Sequence, residues 1–458
     1  MGQRARRRAS TVSKSGTPET PEQRSSASRL RSLDGLRGVA AFVVVVHHAL
    51  LMVPTLSDAY LAPGGLPEDA PWVATLAVHS PLHLFWAGGE AVLLFFVLSG
   101  LVLTLPALRP GFSWVAYYPR RVVRLYVPVV AAVGLTACTL ILAPRVRMEH
   151  LGGWVNGHVE SYGLGSLARD LTLVAGTSGV ITPLWSLQWE VVFSLLLPLF
   201  VGVALLLRRR LWMSVPVAGA AVVAGDVLDR PALFYLGTFA VGTALALAWP
   251  RLQDAVVALR ERGLSGIVWV VFGIAALSLT IGRWVFVDPA SRTSAIASPG
   301  AFTVLGAAMI VIAGGLCPPV RRVMETRVAQ WLGRVSFSLY LVHEGVLLTV
   351  RHLGHELPVI VVIAVGVPLS LLLADQFARW VEVPSHALAR RAGHLADTVH
   401  AGLVRPASRR RALTGQVHGH VASSGATAGA TTLDDDARVP RRRRGLNPTR
   451  GSRVAPAA

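Results

Sequence analysis

The sequence predicts an all-α, polytopic membrane protein with about ten transmembrane helices and with both termini in the cytoplasm. Hydrophobic residues make up 53% of the chain and charged residues only 15%, whereas soluble domains carry roughly 25% charged residues. Most of the apolar runs approach the ~20 residues that a helix needs to cross ~30 Å of hydrocarbon. The ten predicted spans lie near residues 38–53, 84–106, 125–143, 184–207, 211–225, 231–249, 264–282, 300–317, 335–350 and 357–376.

The distribution of charge predicts the orientation and the domain limits. With both termini inside, the inner loops contain fourteen Arg and three acidic residues, and the outer loops contain seven Arg and ten acidic residues. The positive-inside rule expects this bias. Polar composition predicts disordered basic tails over residues 1–30 and 391–458, around a membrane domain of residues 31–390. Most of the net charge of +19 lies at the two ends, where it favours contact with anionic membrane lipid over nucleic-acid binding.

Ionisable side chains inside the apolar runs mark the predicted working site. A charge in hydrocarbon is costly, so such groups usually serve a function. They suit either an enzyme or a proton-coupled transporter, and clear inverted repeats, which are frequent in transporters, are missing from the sequence. The groups are Glu90, Glu190, Glu344, Asp375, His47, His48 and His343.

The first span carries three polar residues on one face. A rotation of about 100° per residue places Arg37 and His48 within about 20° of each other and Asp34 within about 40°, whereas His47 lies about 80° away. The rise per residue puts His48 about 16 Å beyond Arg37, near the predicted middle of the bilayer. A neutral imidazole there can accept a proton from a hydroxyl or receive a transferred group. The structural alternative is a hydrogen bond between helices.

Six short motifs lie along the predicted membrane domain. They are LDGLRGVAAFVVVVHH at 33–48, FFVLSGL at 95–101, YYPRRVVRLY at 117–126, PLWSLQWEVVFS at 183–194, SFSLYLVHE at 336–344 and WVEVP at 380–384. In this order they resemble the acyltransferase-3 family of integral membrane O-acyltransferases. In the fourth motif, Ser194 stands where the family usually has tyrosine.

The resemblance implies specific roles for several residues. His48 is the implied catalytic histidine, and Arg37 helps to place the acyl donor. Glu190 falls on the family's glutamate, which implies a proton acceptor or a partner for the acceptor substrate. Close helix packing is the structural alternative for Ser99 and its neighbour Gly100. The remaining predicted substrate-binding residues are Asp34, Ser99, Trp185, Ser186, His343 and Glu344.

Three arginines in the third motif form a basic ridge on the predicted helix. Arg120, Arg121 and Arg124 are spaced three and four residues apart, so they share a face. Guanidinium groups bind phosphate oxygens bidentately, which suits the phosphates of coenzyme A. Ordinary positive-inside anchoring would use the same residues, so both interpretations remain open.

The expected activity is therefore transfer of an acyl group, acetyl by family analogy, from cytoplasmic acyl-CoA to a hydroxyl. The expected acceptor is a glycan, a lipid-linked sugar or a glycosylated metabolite, and no bound cofactor or metal is expected. Forty-three of the forty-four basic residues are Arg, a bias that suggests a GC-rich bacterial genome and hence the bacterial plasma membrane. The alternative function is a proton-coupled transporter.

Overall fold

The computed structural model describes residues 21–61, 71–158, 162–286 and 299–404. Helices dominate these ranges, and no β-strand occurs within them. The helices are α1 (Pro21–Leu51), α2 (Pro54–Leu61), α3 (Trp72–Val78), α4 (Gly88–Ala107), α5 (Trp114–Leu142), α6 (Gly152–Asn156), α7 (Leu164–Thr172), α8 (Leu184–Leu207), α9 (Leu211–Val227), α10 (Pro231–Glu261), α11 (Ser265–Val285), α12 (Pro299–Leu316), α13 (Pro318–Met324), α14 (Arg327–Leu353), α15 (Val359–Phe377) and α16 (Val383–Val404).

The all-α, polytopic prediction is confirmed, whereas the number of ten spans stays a prediction. In the described ranges, seven helices are long and apolar enough to cross a membrane, or eight if the bent pair α12 and α13 forms one span. Helix α9 is apolar over only Met213–Val227. Helix α14 carries Arg334, Glu344 and Arg351 along its length, and these side chains lower its hydropathy. Helices α9 and α14 coincide with two of the ten predicted spans. The short apolar part of α9 and the charged residues of α14 explain why neither is among the seven or eight helices.

Helices α1 and α14 pack in parallel along their lengths. Glycines make this contact close: a Cβ on Gly38 would lie 2.2 Å from the backbone nitrogen of Gly333, and a Cβ on Gly333 would lie 2.4 Å from the carbonyl oxygen of Asp34. Small residues let helix backbones approach each other in a membrane, where packing rather than water exclusion drives association. This crossing determines which residues of α1 and α14 face each other further along the pair.

A second close crossing joins α4 to α10. A Cβ on Gly100 would lie 2.2 Å from the carbonyl oxygen of Phe239, and a Cβ on Gly242 would lie 2.1 Å from that of Val97. Beside the crossing, the rings of Phe96 and Phe239 stack with centroids 4.6 Å apart. Close helix packing was the structural alternative for the FFVLSGL motif. In the structure, Gly100 has this packing role.

The segment 144–183, predicted as an outer loop, contains the short helices α6 and α7. Leu151, Trp154 and Val155 are buried there in an apolar cluster that also contains Ala49 and Leu51 at the end of α1. This packing brings segment 144–183, called the 144–183 connection below, against the last turn of α1.

Helix α16 continues to Val404, beyond residue 390, where the sequence predicted the disordered tail to begin. A π-helical turn, Ala378–Glu382, precedes it and places the Glu382 carboxylate 2.6 Å from the hydroxyl of Ser338 on α14. The described part of the chain divides after His400: the described residues up to His400 belong to one compact unit, and residues 401–404 belong to a second.

Candidate active site

Two histidines on neighbouring helices form the centre of the site. His48 lies in the last turn of α1, His343 lies on α14, and both side chains are buried. Nδ1 of His48 is 2.8 Å from Nε2 of His343, and the two rings are nearly coplanar, with an angle of 6° between them. The part of α1 that is apolar enough to cross a membrane is Arg31–Leu51, and His48 lies about 10 Å from the midpoint of this segment by rise per residue. It is therefore near one end of α1.

Hydrogen bonds determine which nitrogen of each ring carries a hydrogen. Nδ1 of His343 is 2.9 Å from the carbonyl oxygen of Leu339, and a carbonyl only accepts, so this nitrogen is the donor. Nε2 of the neutral His343 ring is then an acceptor, and Nδ1 of His48 donates to it. The lone pair of His48 is consequently on Nε2, which has no hydrogen-bond partner in the described part of the chain. An imidazole in this state can act as a base or a nucleophile.

An aromatic ring from the 144–183 connection covers His48. The Trp154 ring stacks on His48 with centroids 5.5 Å apart and an angle of 21°. Nδ1 of His158 donates to the Trp154 carbonyl oxygen at 2.7 Å, and Nε2 of His158 lies 2.7 Å from the Thr182 hydroxyl. These bonds hold the Trp154 backbone in place, so the indole shields one face of His48 from water.

Glu344 helps to hold the segment whose Trp154 ring covers His48. Its carboxylate accepts a hydrogen bond from the backbone N–H of Thr182 at 2.7 Å and lies 3.5 Å from Nε2 of His158. Arg145 is buried nearby and donates to the carbonyl oxygens of Val180 and His158. Burial lowers the pKa of the Arg145 guanidinium, although the charge of Glu344 acts in the opposite direction. His343 and Glu344 thus serve different neighbours, as their separation of about 100° around the helix requires.

A cavity of about 70 Å³ lies on the Arg37 side of the two histidines. Tyr340 lines it and also approaches His343, with ring centroids 6.1 Å apart. The Tyr340 hydroxyl is 2.6 Å from the hydroxyl of Ser186. One aromatic ring therefore lies between the cavity and the histidine pair. Four of the predicted site residues line this cavity: Arg37, Ser99, Ser186 and Glu190.

Glu190 is paired with Arg121 across the wall of this cavity. The Arg121 guanidinium donates to the Glu190 carboxylate and, through Nε, to the Ser194 hydroxyl at 2.9 Å. Ser194 therefore keeps a polar contact at the position where tyrosine is usual in the family. In the described ranges Glu190 makes no hydrogen bond or ion pair with His48. The structure therefore shows the arginine partner of Glu190, while its catalytic role stays a prediction.

The three arginines of the basic ridge have different surroundings. Arg120 lies 3.9 Å from Asp397 on α16, and Arg121 turns inward to Glu190. Arg124 is exposed and lies within electrostatic range of Arg37. The three guanidinium groups on α5 are therefore not equivalent. Arg124 is the one most available to bind an anion.

Three further predicted residues lie outside the cavity and the histidine pair. Asp375 is 2.6 Å from Arg379, one turn further along the helix, and also accepts a hydrogen bond from the indole of Trp331. The predicted functional role of Asp375 stays a prediction, since the structure shows only these two partners. Trp185 does not line the cavity and packs against the rings of Phe96 and Tyr235. Asp34 is half-exposed and lies 3.4 Å from Arg37, so its observed role is to hold that guanidinium.

Comparison with known protein families decides the classification. The family model of acyltransferase-3, described as an acyltransferase domain, matches residues 30–378. The chain belongs to the acyltransferase-3 family. A relative, Acyltransferase MdmB of Streptomyces mycarofaciens, is 27% identical over 350 residues, which cover 72% of this chain and 81% of the relative. No solved structure shows significant similarity to the chain. The protein is therefore a membrane O-acyltransferase.

Sequence reasoning missed three residues that shape the site of this acyltransferase. Trp154 and His158 are four residues apart in the 144–183 connection, and residues at this spacing are neighbours on a helix. This four-residue spacing could have indicated that Trp154 and His158 are neighbours. Nothing in the sequence around them indicated that they lie beside His48. Tyr340 lies three residues before His343 and so shares its face of α14. Its position in a motif of the family was noted without a role.

The pairing of Glu190 with Arg121 predicts that their substitutions are not additive. Glu190→Gln and Arg121→Gln are each expected to lower the acyl-transfer rate of this acyltransferase about tenfold, because each leaves a charge unpaired, and the double variant is expected to lie close to the worse single variant. Product formation by membranes containing matched amounts of each variant measures this effect. Arg209→Gln, at an exposed position, serves as the control. Complete loss in Glu190→Gln alone, with Arg121→Gln active, would instead support Glu190 as a catalytic group.

Proposed function

We propose that this acyltransferase moves an acyl group, acetyl by family analogy, from acyl-CoA to a hydroxyl of a carbohydrate or glycosylated acceptor, with His48 as the catalytic histidine. The observation that carries the proposal is the pair formed by His48 and His343, because its hydrogen bonds leave the lone pair of His48 on Nε2. General bases and covalent nucleophiles need such a nitrogen.

The donor end of the site is supported by the cavity beside Arg37 and by the exposed Arg124. Both guanidinium groups suit the phosphates of coenzyme A. The cavity is only about 70 Å³, so a thioester arm must displace side chains to reach the histidines. Tyr340 is the side chain in its way. Donor binding in this proposal therefore moves the Tyr340 ring.

Two chemical routes fit the geometry of the histidine pair. In the direct route, Nε2 of His48 takes the proton of the acceptor hydroxyl while the oxygen attacks the thioester carbonyl, and the C–S bond breaks as the imidazolium returns the proton to the leaving thiolate. In the covalent route, Nε2 attacks the carbonyl and the C–S bond breaks to release the thiolate. The acceptor hydroxyl then attacks the acyl-imidazole, the bond between the acyl carbon and Nε2 breaks, and the hydroxyl proton passes to the thiolate, which leaves as the free thiol. In both routes His343 accepts the Nδ1 hydrogen and stabilises positive charge on His48.

The acceptor end is expected beside Trp154 and the last turn of α1. A glycan, a lipid-linked sugar or a glycosylated metabolite can present a hydroxyl there, and Trp154 offers an apolar surface with a polar edge. With the predicted topology, the donor approaches from the cytoplasm and the acceptor from the outer side of the bacterial plasma membrane. Anionic membrane lipid is the expected partner of the basic tails.

Reconstituted protein tests this proposal against transport. Vesicles that contain the protein are supplied with acetyl-CoA and an extract of the producing cells. Each acetyl-CoA consumed is expected to release one coenzyme A thiol and to place one acetyl group on a product hydroxyl, as read by mass spectrometry. Protein-free vesicles are the control. Movement of substrate across the vesicle membrane without consumption of acetyl-CoA would contradict the proposal and support the transporter alternative.

A further inference from the structure

Helix α16 lies beyond residues 30–378, which the family model matches, and packs against the start of α5. The hydroxyl of Ser113, the N-cap residue of α5, donates a hydrogen bond to the Asp397 carboxylate at 2.5 Å. Arg120 lies 3.9 Å from the same carboxylate. A Cβ on Gly393 would lie 2.1 Å from Nε of Arg120, so α16 lies directly against this side chain. These contacts hold α16 beside the basic ridge of α5.

A row of basic side chains leads from the cavity beside Arg37 to α16. Arg37 lines the cavity, and Arg124 on α5 lies within electrostatic range of it. His386 on α16 lies within electrostatic range of both Arg124 and Arg390. Arg390 is four residues after His386, so the two share a face of α16. The row therefore joins three helices in the order α1, α5 and α16.

This row extends away from the histidine pair. A Cβ on Gly345, two residues after His343, would lie 3.4 Å from the hydroxyl oxygen of Thr136, so that part of α5 is level with the pair. Arg124 is twelve residues earlier in α5, about 18 Å by rise per residue. The later residues of α16 contact the first residues of α5, so Arg390 lies further from the pair than the beginning of α16 does.

Two guanidinium groups of the row lack a protein partner. Arg124 and Arg390 are exposed, and neither makes a hydrogen bond or an ion pair within the described part of the chain. The acidic residues near Arg124 are Glu190 and Glu382, and each has a hydrogen-bond partner of its own. Guanidinium groups bind phosphate oxygens bidentately. The row therefore offers two places for phosphate, one on α5 and one on α16.

We propose that Arg390 binds the 3′-phosphate of coenzyme A while Arg124 holds the diphosphate, so that α16 completes the donor site. This inference rests on acyl-CoA as the donor in the proposed function. With the thioester at His48, the pantetheine arm extends past Arg37, and the diphosphate and then the phosphorylated ribose follow it. The basic side chains occur in the same order, from Arg37 through Arg124 to Arg390.

Direct binding of two nucleotides tests the subsite without an acceptor. Purified full-length protein in phosphatidylcholine nanodiscs is titrated by calorimetry with coenzyme A and with 3′-dephospho-coenzyme A. Coenzyme A is expected to bind about tenfold more tightly, as a hydrogen bond to a charged group predicts. Equal affinities would overturn the subsite and leave the proposed function standing. Binding of neither nucleotide would overturn both the subsite and the use of acyl-CoA.

A matched pair of variants assigns the effect to one arginine. Arg390→Gln is expected to weaken coenzyme A about tenfold and to leave the affinity for 3′-dephospho-coenzyme A unchanged. Arg391→Gln, at an exposed position about 100° further around α16, is expected to keep the native preference. A preference that persists in Arg390→Gln would overturn the assignment. Size-exclusion chromatography establishes folding, and the two-nucleotide comparison on the native protein decides the outcome if a variant does not fold.

An anionic lipid headgroup offers the same phosphate chemistry, and a second measurement separates the two sources. Native mass spectrometry of protein released from nanodiscs with phosphatidylglycerol counts the bound lipids. The number of bound phosphatidylglycerol molecules is expected to be the same in native protein and Arg390→Gln. Loss of one such lipid in Arg390→Gln, together with equal binding of the two nucleotides by native protein, would assign Arg390 to a headgroup and overturn the donor subsite.

Discussion

Replacement of His48 by alanine is expected to reduce acyl transfer by about 10²–10⁴-fold, the usual contribution of a positioned acid–base group. The substitution removes Nε2, the ring nitrogen whose lone pair is available in the pair with His343. Comparative mass spectrometry of envelope glycans and secreted metabolites measures the effect in cells that make the native protein or the variant at matched membrane levels. Loss of one acyl mass from a defined product would also identify the acceptor.

Controls for this experiment separate catalysis from folding. His150→Ala, at an exposed histidine of the 144–183 connection, is expected to retain full activity. His343→Gln is expected to retain more activity than His343→Leu, because the glutamine amide oxygen can accept the Nδ1 hydrogen of His48 and leucine cannot. Unchanged acylated products in cells with abundant, folded His48→Ala protein would show that another group performs the transfer.

Replacement of Gly38 by valine is expected to remove most of the activity and to lower the thermal stability of the protein. Even a Cβ at this position would lie 2.2 Å from the backbone nitrogen of Gly333, so α1 and α14 must move apart. Overpacking of this kind costs about 1–3 kcal/mol. The same movement lengthens the hydrogen bond between His48 and His343, which is 2.8 Å in the native protein. Thermal unfolding in detergent and the acyl-transfer assay measure the two effects.

A matched glycine substitution gives the comparison for Gly38. Gly134 lies within α5, and a Cβ added there has no other atom within 4 Å in the described structure. Gly134→Val is therefore expected to leave both the melting temperature and the transfer rate close to native. Equal losses in the two variants would show that the effect arises from valine in a membrane helix rather than from the crossing of α1 and α14.

Hydropathy and charge were sufficient to predict the fold class and most of the helix positions, because each apolar run must form its own hydrogen bonds within hydrocarbon. The helical rotation of about 100° per residue placed Arg37 and His48 on one face of α1. Mean hydropathy alone does not identify α14 as a span, because this helix is stabilised by burial against α1 rather than by high hydropathy. Glu344 and Arg351 of α14 are buried among the neighbouring helices. These two charged residues lower the mean hydropathy of the helix.

The partners of the site residues could not be predicted in the same way. A motif located Glu190 and an apolar run located Asp375, but their nearest charges, Arg121 and Arg379, became known from the packed structure. Buried charges are stable mainly when they are paired, so an acidic residue in an apolar run has two explanations, function or pairing. Sequence spacing does not distinguish these explanations when the partner lies on another helix.

The sequence by itself determined an α-helical membrane protein, the shared face of Arg37 and His48, and a resemblance that the family match confirmed. The tertiary structure alone decided that His343, 295 residues away, is the hydrogen-bond partner of His48, and that Trp154 covers it. The physical reason is that helical periodicity is local, whereas the contact between α1 and α14 depends on where two backbones approach. Gly38 and Gly333 permit that approach, and the register of the two histidines follows from it.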